Sequence, residues 1–397
     1  MVSVAVLDDF TLPREGSDTL RAVLSRVWPV LVRDACELPL TDPALRALHT
    51  RVTAAMRSLA ARDMGAAVRI ARRPSLAART GYARAVTDDR TASTVLCDLA
   101  FELALAGALG GPVAIPRLRG AWPTLRSPAR GSELTLDDAL TQVTLANGVI
   151  ALDGAERSLA GALAHPCVTE RAAWRSIDGR VALALVDDNP VAARSLHPER
   201  AGNAIDLGEQ PPEAWCAALR EAFAIVETHL PGMARERRLL AQTVAPVGVD
   251  DARHFSCSYE GAPGAMYLSL HPDPVKMAEA VAHEFQHDKL HALLRLDPLL
   301  ENARVEGFRS PVRPDPRPLR AVLLAAHAFL AVETLYRAMR DAGHEAARHP
   351  RFDQRLAAVR EANREAVDAL VAYARPTPLG RALLDELRAL EASLRSA

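Results

Sequence analysis

From about residue 16 to residue 110 the apolar positions recur at helical spacing, as in Leu45, Leu48, Val52, Met56 and Leu59, and this predicts a helical N-terminal region. The texture then changes. Val113-Ala114-Ile115, Leu134-Thr135-Leu136, Val149-Ile150-Ala151-Leu152 and the run 181–186 are short apolar stretches separated by Gly, Pro, Asp and Asn, which predicts strands. Residues 187–190 (Asp-Asp-Asn-Pro) read as a turn, followed by a polar loop. Residues 212–243 predict one or two amphipathic helices with Trp215, Leu219, Phe223, Ile225 and Val226 on the apolar face and a break at Pro231-Gly232. A strand is expected over 265–270. The helix after it starts near Pro274 with Asp273 as its cap and stops near Asp297-Pro298. A Pro- and Arg-rich loop at 309–318 leads to a long apolar helix over about 319–340, and amphipathic helices over about 352–373 and 378–394 close the chain. The expected organisation is a helical region over 1–110, a β-rich region over 111–210 and a third region over 211–397.

Composition narrows the class without naming a chemistry. The 397 residues are 49% hydrophobic and 24% charged, ordinary for a folded protein with a sizeable core. With 48 basic and 49 acidic residues the net charge is -1, so no global field attracts nucleic acid or anionic lipid, and neither is expected as a partner. The first residues reach Asp8 and Asp9 too early for a signal peptide, no apolar run is of membrane-spanning length, and the expected location is the cytoplasm. Lys276 and Lys289 are the only lysines. The five cysteines lack C-x-x-C spacing, which predicts reduced thiols rather than a disulfide framework or a thiolate metal site.

One segment names a chemistry. Residues 283–287 spell H-E-x-x-H within the helix that begins near Pro274. Histidines four apart on a helix differ by about 40° in direction and about 6 Å in height, so His283 and His287 can meet one metal ion. Imidazole suits zinc, iron, copper and nickel alike, and the third ligand must decide. The metzincin extension needs Gly at 290 and His at 293, and both positions are leucine. A gluzincin-like arrangement takes its third ligand from a later helix, and the apolar helix over 319–340 offers His327 and Glu333. These lie about 120° apart around the helix, so one segment does not aim both at the same ion. His327 stands in a run too apolar to leave an imidazole without a partner, and is the preferred ligand, with Glu333 as the alternative. His291 lies one turn beyond His287 and reads as a neighbour of the ligands. Glu284 is a general base on metal-bound water if the site is a zinc peptidase, and an orienting group if it activates oxygen. Arg313, Arg317 and Arg320 follow closely, and guanidinium forks grip carboxylates, so Arg313 and Arg317 are the candidate clamp for an anionic co-substrate. The segment from Phe255 to Tyr259 is expected to form an edge strand and turn beside the site.

Taken together, FSCSYEGAPGAMYLSL, AHEFQHDKLHALLRL and SPVRPDPRPLRAVLLAAHAFLAVETLY resemble the H-E-x-x-H family of iron(II)- and α-ketoglutarate-dependent peptide β-hydroxylases of ribosomal peptide maturation. The resemblance extends upstream through LVDDNPVAARSLHPERAGNAIDL and covers at least residues 185–340. It implies iron(II) bound by His283, His287 and a downstream ligand, with α-ketoglutarate held by the metal and arginine. It also implies O2 as oxidant and a ribosomally made precursor peptide as substrate, with a radical SAM maturase as a pathway partner. No closely spaced cysteine triad accompanies it, so a stand-alone hydroxylase is expected. An all-histidine set departs from the usual oxygenase triad, which carries a carboxylate; Glu333 would restore it. The expected fold is α+β and predominantly helical, with a gluzincin-like metal-binding core in the C-terminal half and a small β-rich middle segment. The competing function is a zinc-dependent H-E-x-x-H metallopeptidase.

Overall fold

The computed structural model describes residues 9–396 apart from 119, 188, 193–195, 198–199, 203, 253 and 309–315. Helix accounts for 54% and strand for 15%, which makes the fold α+β with helix dominant. The N-terminal helices are α1 (Thr19–Ala35), α2 (Pro43–Arg62), α3 (Met64–Ala71), α4 (Pro74–Val86) and α5 (Asp89–Leu105). Seven short strands follow: β1 (Val113–Ala114), β2 (Leu125–Ser127), β3 (Ser132–Leu136), β4 (Val143–Ala146), β5 (Val149–Leu152), β6 (Ala155–Ser158) and, after α6 (Leu159–Leu163), β7 (Val168–Ala172). They form two antiparallel sheets, ordered β1-β4-β5-β6 and β2-β3-β7.

The rest of the chain holds β8 (Trp174–Ser176), β9 (Ala182–Ala184), the ribbon β10 (Leu196–His197) with β11 (Arg200–Ala201), α7 (Pro212–His229), α8 (Pro231–Leu240), β12 (Thr243–Val249), β13 (Ser256–Ser258) and β14 (Ala265–Leu270). Four long helices complete it: α9 (Pro274–Leu294), α10 (Leu319–Asp341), α11 (Pro350–Tyr373) and α12 (Pro378–Ser396). Strand structure therefore extends well beyond the middle of the chain. A five-stranded sheet ordered β13-β14-β12-β9-β8 joins residues from 174 to 270 and runs parallel between β9, β12 and β14. Its two faces differ because side chains alternate along a strand. Leu183, Val244, Met266 and Leu268 enter the larger core beneath α9, whereas Ala184, Ala245, Ala265 and Tyr267 belong to a small cluster on the far side.

Two main cores hold the molecule. One joins α2–α5 to α6, β1–β5 and β7, so it spans the composition change near residue 110. The other joins α7–α12, the inner face of the five-stranded sheet and Phe10. α1 serves both: Leu20, Val23, Leu24 and Val27 enter the second core, and Leu31, Val32 and Ala35 the first. α10 is, among the described residues, the one helix long and apolar enough to cross a membrane, but 78% of that stretch is buried inside the fold, as befits a core helix.

Candidate metal centre

α9 starts as its sequence dictates. The Asp273 carboxylate accepts from the Val275 backbone N–H at 2.9 Å, and Pro274 occupies the first turn, where no N–H is missed. Its packing against α7, α10, β13 and β14 buries it on almost every side. From Ala280 to Leu293 the exceptions are His283 and His287, which remain partly exposed while every other residue of that stretch is buried; one turn earlier Glu279 is partly exposed on the same side. The two imidazoles thus lie, with Glu279, on the accessible face of an otherwise enclosed helix.

Their Nε2 atoms stand 2.8 Å apart, with ring centroids separated by 4.5 Å. Two nitrogens bound to one ion at about 2.0–2.1 Å lie at a separation of this order. Both rings are kept neutral, the form that coordinates metal. Burial pushes the His283 pKa down to about 3, assisted by the positive field of Arg355 and by His254. Burial, with His283 beside it, likewise depresses His287. Phe329 of α10 packs against His283 with centroids 4.6 Å apart and fixes one side of the ring.

Glu284 leaves the helix on another side, toward the sheet. Burial raises its carboxyl to about 7, and the nearby Ser256 and Ser258 of β13 pull in the opposite direction. Those serines pair in register with Leu268 and Met266, so they share the sheet face that meets α9. The expected edge strand beside the motif is present, and its serines flank Glu284. Glu284 Oε1 lies 3.9 Å from His283 Nε2. One turn on, the buried Asp288 has its carboxyl pKa raised by burial and then by the nearby Glu284.

His327 sits on α10, fully buried, against Phe10 at a centroid distance of 5.6 Å. Neither ring nitrogen makes a well-formed hydrogen bond, an arrangement that is costly for a buried polar group. Burial holds it neutral, and the charge of Lys289 reinforces this. Glu333 is committed elsewhere: it accepts from Asn363 Nδ2 at 2.8 Å and from Arg337 Nε at 3.0 Å, with Arg360 3.7 Å away. His291 is buried beyond His287, ring centroids 6.2 Å apart, with Nδ1 lacking a partner. Among the described residues, no third His, Cys, Asp or Glu joins the pair in a three-donor group. The donor chemistry therefore fits an imidazole-bound metal through two residues, with His327 as an unsatisfied imidazole on the adjoining helix.

Arg313 lies outside the described residues. Arg317 is half-buried and its backbone bridges to Phe308, closing the base of the Arg loop just before α10. Arg320 pairs with Glu260 and lies within electrostatic reach of His291. Sequence reading passed over His254 and Arg355, both of which act on His283. Arg355 grips Glu279, which also accepts from Tyr336 Oη at 2.8 Å, and Glu279 lies one turn before His283. Its place on α11, 72 residues beyond His283 in the numbering, left no local signal.

A comparison with family models finds none that matches the chain, and a comparison with curated proteins finds no match.

Proposed function

We propose that the protein is an iron(II)- and α-ketoglutarate-dependent oxygenase that hydroxylates a β-carbon of a ribosomally made precursor peptide. The observation that carries this reading is the convergence of two neutral imidazoles, His283 and His287, on the one accessible face of a buried helix. The family resemblance of the surrounding segments supplies the choice of iron and α-ketoglutarate. His283 and His287 would hold the metal, and His327 would complete the set from the adjoining helix in a gluzincin-like core. Iron held there would supply oxygen activation, with one atom of O2 destined for the peptide C–H bond and the other for the succinate left when α-ketoglutarate loses CO2. Arg313 and Arg317 would hold the co-substrate carboxylate as a guanidinium fork does. Phe329 would give the His283 side of the centre an apolar wall, and Phe10 the His327 side. The chain's free cysteines suit the reducing cytoplasm this role implies.

The zinc peptidase reading rests on Glu284 as general base. Against it stands the position of Glu284, buried against β13 with Ser256 and Ser258 beside it, on a side of α9 other than the one His283 and His287 share. The deciding experiment supplies anaerobically iron-loaded protein with α-ketoglutarate, oxygen and the precursor peptide. Succinate and a peptide heavier by one oxygen atom are expected; loaded protein that yields neither overturns the proposal. Peptide fragments formed with zinc and without oxygen, and abolished by Glu284→Gln, would establish the peptidase instead.

A further inference from the structure

On the face of the five-stranded sheet opposite α9 lies a cavity of about 280 Å3. Its floor is made of methyl groups: Ala182 and Ala184 of β9, Ala245 of β12 and Ala265 of β14. The alternate residues of the same strands, Leu183, Val244 and Met266, are large and fill the core on the other side. A seam between packed layers is normally filled to the density of an organic crystal. Here the small side chains leave it open, and the opening is polar.

The opposite wall comes from the other half of the protein. Arg69, Arg72 and Arg73 at the junction of α3 and α4 line it, and Arg180 joins them from the turn before β9. The one carboxylate among the lining residues, Asp187, is occupied by the Tyr267 hydroxyl, which donates to it at 2.7 Å. Two of the arginines are built in. Arg73 is braced from behind by Glu102, next to the buried Arg79–Asp98 pair. Arg72 donates to the Leu239 carbonyl at 2.8 Å, and its own carbonyl accepts from Gln242 Nε2 at 2.9 Å. The other two sit at the rim. Arg69 has Asp63 3.7 Å away at an exposed site, and Arg180 pairs with no described carboxylate. α4 begins here with no side-chain cap, and its first residues, Pro74 and Ser75, line the same space. Its positive end adds to the field of the guanidinium groups. Burial also holds the pKa of Arg72 below the usual arginine range, with the charge of Arg69 adding to it, and that of Arg73 down to about 10.

We propose that this cavity binds a small organic polyanion, a metabolite carrying two or more carboxylate or phosphate groups, clamped between the two halves of the protein. The buried pair Arg72 and Arg73 would meet one anionic group and the rim pair Arg69 and Arg180 the other, since guanidinium forks bind both groups in bidentate fashion. Trp174 offers a flat wall for the intervening carbon skeleton. The compact volume and closed sheet floor favour such a ligand over an extended chain. The inference does not depend on the chemistry proposed for the H-E-x-x-H face, which the sheet separates from this one.

The test is calorimetric titration and thermal unfolding of the full chain with citrate and with pyrophosphate, against sodium chloride at equal ionic strength. Saturable binding that raises the unfolding temperature is expected. Each of Arg69→Gln and Arg180→Gln should weaken it about tenfold, as loss of a charge-assisted contact does. The His283→Ala/His287→Ala double variant should bind both probes as the parent does. Preference for citrate or for pyrophosphate identifies the carboxylate or phosphate source, and either supports the proposal. It is overturned if neither probe binds above the chloride control, if the Arg69→Gln/Arg180→Gln double variant binds unchanged, or if binding disappears with the histidines.

Discussion

His283 and His287 meet through Nε2 atoms 2.8 Å apart, while Glu333, the carboxylate that would complete a two-histidine-one-carboxylate set, is held by Asn363 and Arg337. The ligand question therefore turns on His327. Metal content of anaerobically purified protein should fall to near background in His283→Ala and in His287→Ala. It should fall substantially in His327→Asn and stay at the parent level in Glu333→Gln. The last variant should instead lower stability by about 1–3 kcal/mol, because it leaves Arg337 and Arg360 facing a neutral partner in a buried setting. Elemental analysis and urea unfolding of the same preparations separate the two effects.

Co-substrate binding gives a second expectation. Arg317 borders the start of α10, three residues before Arg320, which pairs with Glu260. Arg317→Gln should raise the KM for α-ketoglutarate at least about tenfold, the scale of one lost charge-assisted contact. Arg320→Gln should change it less. Succinate formation at varied co-substrate measures both, and equal effects would remove Arg317 from the clamp.

Much of this architecture is legible in the chain. Asp273-Pro274 announces α9 at the residue where it starts, and α10, α11 and α12 follow their apolar periodicity to within a few residues. β12 escaped because Pro246 and Gly248 interrupt its valines, although it is the strand that links β9 to β14. It tolerates them through a register shift between Pro246 and Val249, and Asp206 takes up the Pro246 carbonyl. The H-E-x-x-H pair was visible because one helix carries it. His254, Arg355 and the partners of Glu333 were not, because tertiary packing alone brings them together.

A pH effect follows from Glu386, whose carboxyl is raised by burial from an ordinary 4.5 to about 7, near Lys289 and Asp9. A folded-state pKa above the unfolded one means that the native protein binds the proton more tightly. Its contribution to stability is therefore full below about 4.5 and is lost as pH rises to about 7. Urea unfolding between these limits should show Glu386→Gln gaining on the parent as pH rises. A difference between the two proteins that is flat across the window refutes the assignment.

Phe10 is fully buried, against the His327 ring and beneath the Lys289 ammonium, which lies 5.0 Å from its centroid. Phe10→Ala should cost about 3–5 kcal/mol of unfolding free energy, as truncation of a core aromatic does. It should also loosen His327, which is readable as broadened imidazole resonances in the nuclear magnetic resonance spectrum.

Next to Phe10, the Thr11 carbonyl accepts from Gln286 at 2.7 Å and its N–H donates to Glu386 at 2.6 Å, partners 275 and 375 positions further along the chain. On the ribosome this segment emerges early and must wait for α12 before its last hydrogen bond can form. Translation thus sets the order of assembly: the half built around α2–α5 can pack while the half built around α7–α12 is still being made. Because Gln286 lies within the motif, the same segment ties the histidine-bearing helix to α12, and a nascent protein stalled short of α12 would hold the motif with the Thr11 N–H still lacking its carboxylate.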